Sequence, residues 1–161
     1  MSNLSPVVTL RPEVLQDKPF LEILYRSTRD DLLKLGLPEA MLGNLMQMQF
    51  NAQQTGYRTQ FPDADYSIVE RDGKSIGWLI TDRNAEAIRL VNIALLPDQR
   101  NKGHGRRLIN ALQNEAAAAK KPLRLSVSCM NRHAQHLYVS SGFQIIGDDG
   151  ANLEMTWQIR D

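Results

Sequence analysis

The amino-acid sequence predicts a mixed α/β fold, with a mostly antiparallel central sheet of about seven strands and about four helices. Three patterns support this prediction. Helical periodicity dominates the first third of the chain, β-rich runs separated by turns dominate the remainder, and one glycine-bearing loop joins a strand directly to an amphipathic helix. The predicted order of elements is β-α-α-β-β-β-α-β-α-β-β, and residues 1–161 are expected to form a single domain.

The first third of the chain predicts one strand followed by two helices. Residues 7–10 are a short β-rich run stopped by Pro12, and residues 17–29 carry apolar side chains at helical spacing. A second helix is expected over residues 38–54, followed by a loop over residues 56–65 that contains Tyr57. The buried face of that second helix is predicted to carry Met41, Leu42, Leu45, Met48 and Ala52.

The middle of the chain predicts a hairpin and then a crossover unit. Residues 66–70 and 75–81 flank the pair Asp72-Gly73, and an Asp-Gly pair between β-rich runs is a strong turn signal. The crossover unit is predicted to be a strand over residues 87–95, a helix over residues 105–119 and a strand over residues 123–127. Such a unit implies a parallel pair of strands within the sheet. The helix of this unit is expected to bury Leu108, Ile109, Leu112 and Ala116.

The last part of the chain predicts a short helix and two strands. The helix is expected over residues 131–141 and ends at Gly142. The strands are expected over residues 143–146 and 152–159, with a turn between them.

Composition excludes several classes of function. The formal net charge is +1, from 19 basic and 18 acidic residues, which argues against nucleic acid or a membrane surface as the main partner. Cys129 is the only cysteine, so neither an intramolecular disulfide nor a cysteine-based metal cluster is expected, and we predict no metal site. The sequence shows neither a membrane-spanning run of about 20 apolar residues nor a signal-peptide pattern. We therefore expect a cytoplasmic protein.

The strongest functional signal is the glycine loop, residues 100–105, with the sequence RNKGHG. It leads into a helix, whose first N–H groups lack intrahelical partners and carry the positive end of the helix dipole. Gly103 and Gly105 permit close approach of a ligand, and Arg100 and Lys102 add positive charge. The pattern predicts a phosphate or pyrophosphate site. It matches neither the dinucleotide fingerprint, because Leu108 replaces the third glycine, nor the P-loop.

Two motifs together resemble the GCN5-related N-acetyltransferases. The glycine loop matches the family signature Q/R-x-x-G-x-G/A, and residues 131–143 match N-x-x-A-x-x-L-Y-x-x-x-G-F at every fixed position. The resemblance covers residues 66–157. It implies the acetyltransferase fold, with strands 4 and 5 splayed apart around the pantetheine arm of acetyl-CoA. The implied reaction moves an acetyl group to a primary amine of a small molecule or peptide, by direct attack in a ternary complex.

The resemblance also assigns roles to residues. Tyr138 would protonate the departing thiolate, since a phenol has a pKa of about 10, and Asn131 would hydrogen-bond the cofactor arm. Alternatives are a core tyrosine with its hydroxyl bonded to backbone, and a helix N-cap. His104 is expected to point outward from the loop. The expected cofactor-binding residues are Ile93, Ala94, Leu95, Arg100, Asn101, Lys102, Gly103, His104, Gly105, Arg106 and Asn131.

The general base and the acceptor are not defined by the sequence. Family members carry a glutamate at the position of Arg89 or of Ser126, and neither residue is acidic here. A water chain, Asn92 through water, or a carboxylate such as Asp82 or Glu86 are the alternatives. The acceptor pocket is expected beside the first two helices, where Arg29 would suit an anionic acceptor. The candidate lining residues are Tyr25, Arg29, Phe50 and Tyr57.

Two other functions fit parts of the sequence. The missing glutamate is compatible with a non-catalytic module that senses acyl-CoA. A nucleotide-phosphate-binding domain unrelated to coenzyme A would explain the glycine loop, but would give Asn131 and Tyr138 no role. A homodimer is compatible with the sequence, and no feature selects that state.

Overall fold

The computed structural model describes residues 8–159, and that range contains seven strands and five α-helices. The elements are β1 (Val8–Pro12), α1 (Lys18–Ser27), α2 (Asp30–Leu33), α3 (Glu39–Gln60), β2 (Asp65–Arg71), β3 (Lys74–Arg83), β4 (Ile88–Leu95), α4 (His104–Ala119), β5 (Leu123–Ser128), α5 (Arg132–Ser140), β6 (Gln144–Asp148) and β7 (Asn152–Trp157). The predicted fold class is confirmed, and the one added helix is the four-residue α2.

The strands form one sheet in the order β1-β2-β3-β4-β5-β7-β6. Only β4 and β5 pair in parallel, and the other neighbours are antiparallel. The predicted turn joins β2 to β3, with φ of 53° at Asp72 and 76° at Gly73. Positive φ at both positions is typical of the tight turns that match strand twist.

Apolar side chains form two clusters, one on each face of the sheet. One cluster contains α4 with Leu125 and Met155, and all four predicted α4 core residues are buried in it. The other contains α1 and α3 with Trp78 and Ile80 of β3. Adjacent residues of β3 therefore supply both cores, because side chains alternate across a strand.

Three predictions in the first third of the chain are wrong. Helix α3 continues to Gln60, so Tyr57 lies on a helix and not in a loop. Its buried side chains are Met46 and Phe50, which lie four residues apart on one face, whereas Met41 and Met48 are mostly exposed. Pro12 belongs to β1, which tolerates proline because it is an edge strand. The predicted start of that strand, Val7, lies outside the described residues.

Candidate active site

Strands β4 and β5 separate halfway along their length. Their parallel pairing runs only from Ile88 to Leu90 of β4, although β4 continues to Leu95 and β5 to Ser128. A β-bulge follows Leu90: Thr81 of β3 pairs with Leu90 but Ile80 pairs with Asn92. Because a bulge bends and twists its strand, it carries β4 away from its parallel neighbour. The separation opens a cavity of about 960 Å³, here called the β4–β5 cavity.

The glycine loop lies at this cavity. Gly103 adopts φ of 84° as the N-cap of α4, so the helix starts at His104 with its first N–H groups at the loop. The Arg100 side chain donates to the carbonyl of Leu95 at 3.0 Å, and Arg106 donates to the Ser140 hydroxyl at 3.0 Å. Five predicted cofactor residues of this segment line the cavity: Arg100, Asn101, Gly103, Gly105 and Arg106. The strand residues Ile93, Ala94 and Leu95 also line it.

Lys102 and His104 lie outside the lining, and the prediction that His104 points outward is wrong. Its side chain is buried, and neither ring nitrogen has a hydrogen-bond partner within residues 8–159. Burial lowers the pKa of His104, and the nearby Arg71, Arg107 and Lys102 lower it further. Spacing explains the burial, since His104 precedes Leu108 by four residues and therefore shares the apolar face of α4.

Asn131 lines the cavity and also caps α5. Its side-chain oxygen accepts a hydrogen bond from the backbone N–H of Ala134 at 3.1 Å. This geometry is that of an N-cap, which is the alternative considered for the residue. An asparagine that caps through its oxygen keeps its amide N–H₂ group as a donor.

Tyr138 lies on α5, which packs against the α4 face of the sheet, and it lines the β4–β5 cavity. Only 6% of the residue is exposed, and its ring packs against Phe143 with centroids 5.7 Å apart. Its hydroxyl makes no hydrogen bond to any described residue, so the structure contradicts the alternative of a hydroxyl bonded to backbone. Burial raises the pKa of Tyr138 to about 12.

Of the four predicted acceptor residues, the structure brings only Tyr57 into the lining of the cavity. Tyr25 and Phe50 pack edge to face in the core, with centroids 5.6 Å apart. Arg29 forms a two-point ion pair with Asp31, with both N–O distances 3.0 Å. Sequence reasoning missed the contribution of Ser27 at the end of α1, Thr28 after it and Asp30 at the start of α2, which line the cavity, because no pattern marks this connection.

The two usual glutamate positions have different surroundings. Ser126 lines the cavity, whereas Arg89 donates to both carboxylate oxygens of Glu154, which raises the pKa of the arginine. Asp82 and Glu86 are absent from the lining. Asp30 is the single carboxylate among the described residues that line this cavity. Neither of the two usual glutamate positions therefore supplies a carboxylate to the cavity.

None of the helices within residues 8–159 has the length and apolarity to cross a bilayer. The same part of the chain holds no group of three or more potential metal ligands.

Solved structures share this fold. The PaiA N-acetyltransferase of Thermoplasma acidophilum, in complex with coenzyme A, is 17% identical with a TM-score of 0.69 over 95% of this chain and 99% of that one. The ribosomal-protein-S18-alanine N-acetyltransferase of Escherichia coli is 21% identical with a TM-score of 0.65, covering 96% and 97%. A GNAT family acetyltransferase of Elizabethkingia anophelis with acetyl-CoA bound is 15% identical with a TM-score of 0.59, covering 94% and 98%.

Sequence comparison gives the family. No curated protein matches the chain. The family model described as acetyltransferase (GNAT) domain matches residues 62–145, just over half of the sequence, including the glycine loop and the whole of the Asn131 motif. The chain therefore belongs to the GNAT family of acetyltransferases.

Proposed function

We propose that this protein is an N-acetyltransferase that moves an acetyl group from acetyl-CoA to a primary amine by direct attack in a ternary complex, with residues 1–161 acting as one domain. The observation that carries the proposal is the β4–β5 cavity. It combines an open strand edge, a helix N-terminus with cationic side chains, and a buried tyrosine hydroxyl. Each feature meets a separate chemical need of acyl transfer from a thioester.

The cavity provides groups for each part of acetyl-CoA. First-turn N–H groups of α4, with Arg100 and Arg106, suit the pyrophosphate. The edge of β4 that leaves β5 after Leu90 suits the amides of the pantetheine arm, which would pair with it like an added strand. The free amide N–H₂ of Asn131 adds a donor to the arm. Acetyl-CoA supplies the activated acetyl group.

Direct transfer needs no covalent intermediate on the protein. The amine nitrogen bonds to the thioester carbon, the carbon–sulfur bond breaks, the nitrogen loses a proton and the sulfur gains one. Strand N–H groups of β4 polarise the thioester carbonyl. Tyr138 has a pKa of about 12, so it stays protonated at neutral pH and donates to the developing thiolate.

The test measures release of the coenzyme A thiol with a panel of amines, alongside acetyl-CoA affinity by titration calorimetry. Tyr138→Phe should lower kcat by roughly 10²- to 10⁴-fold, the range typical of a general acid, and leave the dissociation constant of acetyl-CoA unchanged. Tyr66→Phe is the matched control, because the Tyr66 hydroxyl bonds to the Phe61 carbonyl away from the cavity. Full turnover in Tyr138→Phe would contradict the role of this residue. Binding without turnover on any amine would favour the sensor.

A further inference from the structure

Two neutral side chains meet on the wall of the β4–β5 cavity that faces α3. The Tyr57 hydroxyl, from α3, donates to the Asn92 side-chain oxygen at 3.4 Å. Asn92 lies just beyond the bulge of β4 and pairs with Ile80, so it belongs to the sheet face opposite α4. Both residues line the cavity, and Tyr138 lines it from α5. The pair therefore stands at the strand separation, on the opposite side of the sheet from α5.

This wall is aromatic and partly buried. The Tyr57 ring packs edge to face on Trp78 at 5.8 Å, and Trp78 is itself buried. Burial raises the pKa of Tyr57, because a charged phenolate is disfavoured when it is partly removed from water. An ammonium group entering it meets the same desolvation penalty, which favours the neutral amine. An amide oxygen accepts an N–H hydrogen bond, but it cannot take up the proton as a carboxylate would.

We propose that Asn92 and Tyr57 position the acceptor amine in its neutral form, and that the acceptor class is therefore amines with a pKa near 8, such as peptide α-amines, rather than alkyl amines with a pKa above 10. This inference rests on the proposed function. The Asn92 oxygen accepts one amine N–H, and the Tyr57 hydroxyl fixes the orientation of the amide. After attack, the surplus proton on nitrogen leaves to water, the sulfur receives the Tyr138 proton, and the Tyr138 phenolate regains a proton from water.

The experiment compares two isomeric acceptors built on the dipeptide amide alanyl-lysinamide. One isomer is acetylated on the lysine side chain and offers only the α-amine, with a pKa of about 8, while the other is acetylated on the α-amine and offers only the ε-amine, at about 10.4. At pH 7.4 the neutral fraction of the α-amine is roughly 200-fold larger. We expect kcat/KM to favour the α-amine isomer by a comparable factor, and to rise tenfold per pH unit up to the pKa of the amine.

A set of simple amines with pKa values from about 8 to 10 is assayed in parallel. This set distinguishes failure of the present inference from failure of the proposed function. Acetyl transfer with a kcat/KM that is independent of amine pKa, or higher for the ε-amine, would overturn this inference while leaving the proposed function intact. Absence of coenzyme A release with every amine would defeat the proposed function, and this inference with it.

Two variants test the positioning role. Asn92→Glu supplies the missing base, so we expect at least a roughly tenfold gain in kcat/KM on the ε-amine isomer relative to the α-amine isomer. Tyr57→Phe frees the Asn92 amide and should lower kcat/KM on both isomers, with unchanged acetyl-CoA affinity. A merely structural role predicts that Asn92→Glu lowers both rates equally. An unchanged ratio in a folded, acetyl-CoA-binding Asn92→Glu protein would therefore overturn the proposal.

Discussion

Arg89 of β4 and Glu154 of β7 form a two-point ion pair, with N–O distances of 2.8 and 2.9 Å. Strand β5 lies between these two strands, so the pair crosses it. Arg89 directly precedes Leu90, the last β4 residue paired with β5. The ion pair thus ties the two halves of the sheet together at the point where they begin to separate.

We predict that Glu154→Gln lowers the free energy of unfolding by about 1 kcal/mol. Both side chains are about one-third exposed, at 28% and 32%, so solvent screening limits the contribution of the ion pair to the range of surface pairs, at most about 1 kcal/mol. The two-point geometry supports that upper value. Urea denaturation provides the measurement, and Glu86→Gln, at an exposed site beyond β3, provides the control. Equal stability of the two variants would contradict the prediction.

Gly105 is predicted to be required for ligand binding and not for the stability of the fold. A Cβ at this position would lie 3.7 Å from a Leu137 methyl carbon, an ordinary contact. Gly105→Ala should therefore leave the unliganded protein as stable, or more stable by up to about 1 kcal/mol, because alanine favours helix. Acetyl-CoA affinity should fall at least roughly tenfold, because a methyl group would occupy the approach to the α4 N–H groups. Unchanged affinity by calorimetry would contradict this role.

Gly103 should behave in the opposite way. Its φ of 84° is unfavourable for other residues, while a Cβ there would have open space around it. Gly103→Ala is expected to lower the free energy of unfolding by about 1 kcal/mol through backbone strain. Thermal and urea denaturation of the unliganded protein measure this loss. Denaturation of Gly103→Ala indistinguishable from that of the parent would contradict the strain argument.

Asn131 is predicted to have two roles that substitution can separate. Asn131→Ala should lower the free energy of unfolding by about 1 kcal/mol through loss of the α5 cap, whereas Asn131→Ser keeps a capping oxygen. Both variants lose the amide N–H₂ group, so acetyl-CoA affinity should fall in both. Calorimetric titration and urea denaturation are measured on the same samples. Full affinity in Asn131→Ser would show that the residue serves only as a cap.

Because His104 is buried, we predict that the folded protein loses stability in mild acid. Its folded-state pKa is lowered by burial, so the unfolded chain takes up a proton first as the pH falls below about 6.5. Its contribution is therefore intact above that pH and is lost as the pH falls toward 5. His104→Gln should flatten the stability profile between pH 7 and 5. Identical profiles of His104→Gln and the parent would contradict the prediction.

Much of the fold followed from local pattern. The α4 stripe, the Asp72-Gly73 turn and the Asn131 cap depend on neighbours a few residues apart, so periodicity and turn chemistry define them. The Arg89–Glu154 pair joins residues 65 positions apart, and no local pattern predicts such a contact. The end of α3 was missed because Gly56 reads as a helix breaker, whereas packing of Tyr57 on Trp78 extends the helix past it.

The candidate site likewise has parts that local sequence motifs predict and parts that depend on long-range packing. The glycine loop and the segment around Tyr138 are short motifs, and the structure brings both to one cavity. The cavity wall formed by Tyr57 and Asn92 depends on which helix faces lie against the bulge of β4, and no local pattern specifies those contacts. The Tyr57 hydroxyl donates to Asn92, whereas Tyr25 and Phe50 are buried in the core beneath α1 and α3.

The most direct test of the account is a thermal-shift titration with acetyl-CoA, with coenzyme A, ATP and NAD as controls. A ligand at about 100 times its dissociation constant adds roughly 2.7 kcal/mol, a rise in melting temperature of roughly 5 to 10 °C for a chain of this size. We expect acetyl-CoA and coenzyme A to raise the melting temperature, and ATP and NAD to leave it unchanged. No shift with acetyl-CoA at millimolar concentration would contradict the assignment of the glycine loop and the β4–β5 cavity to the cofactor.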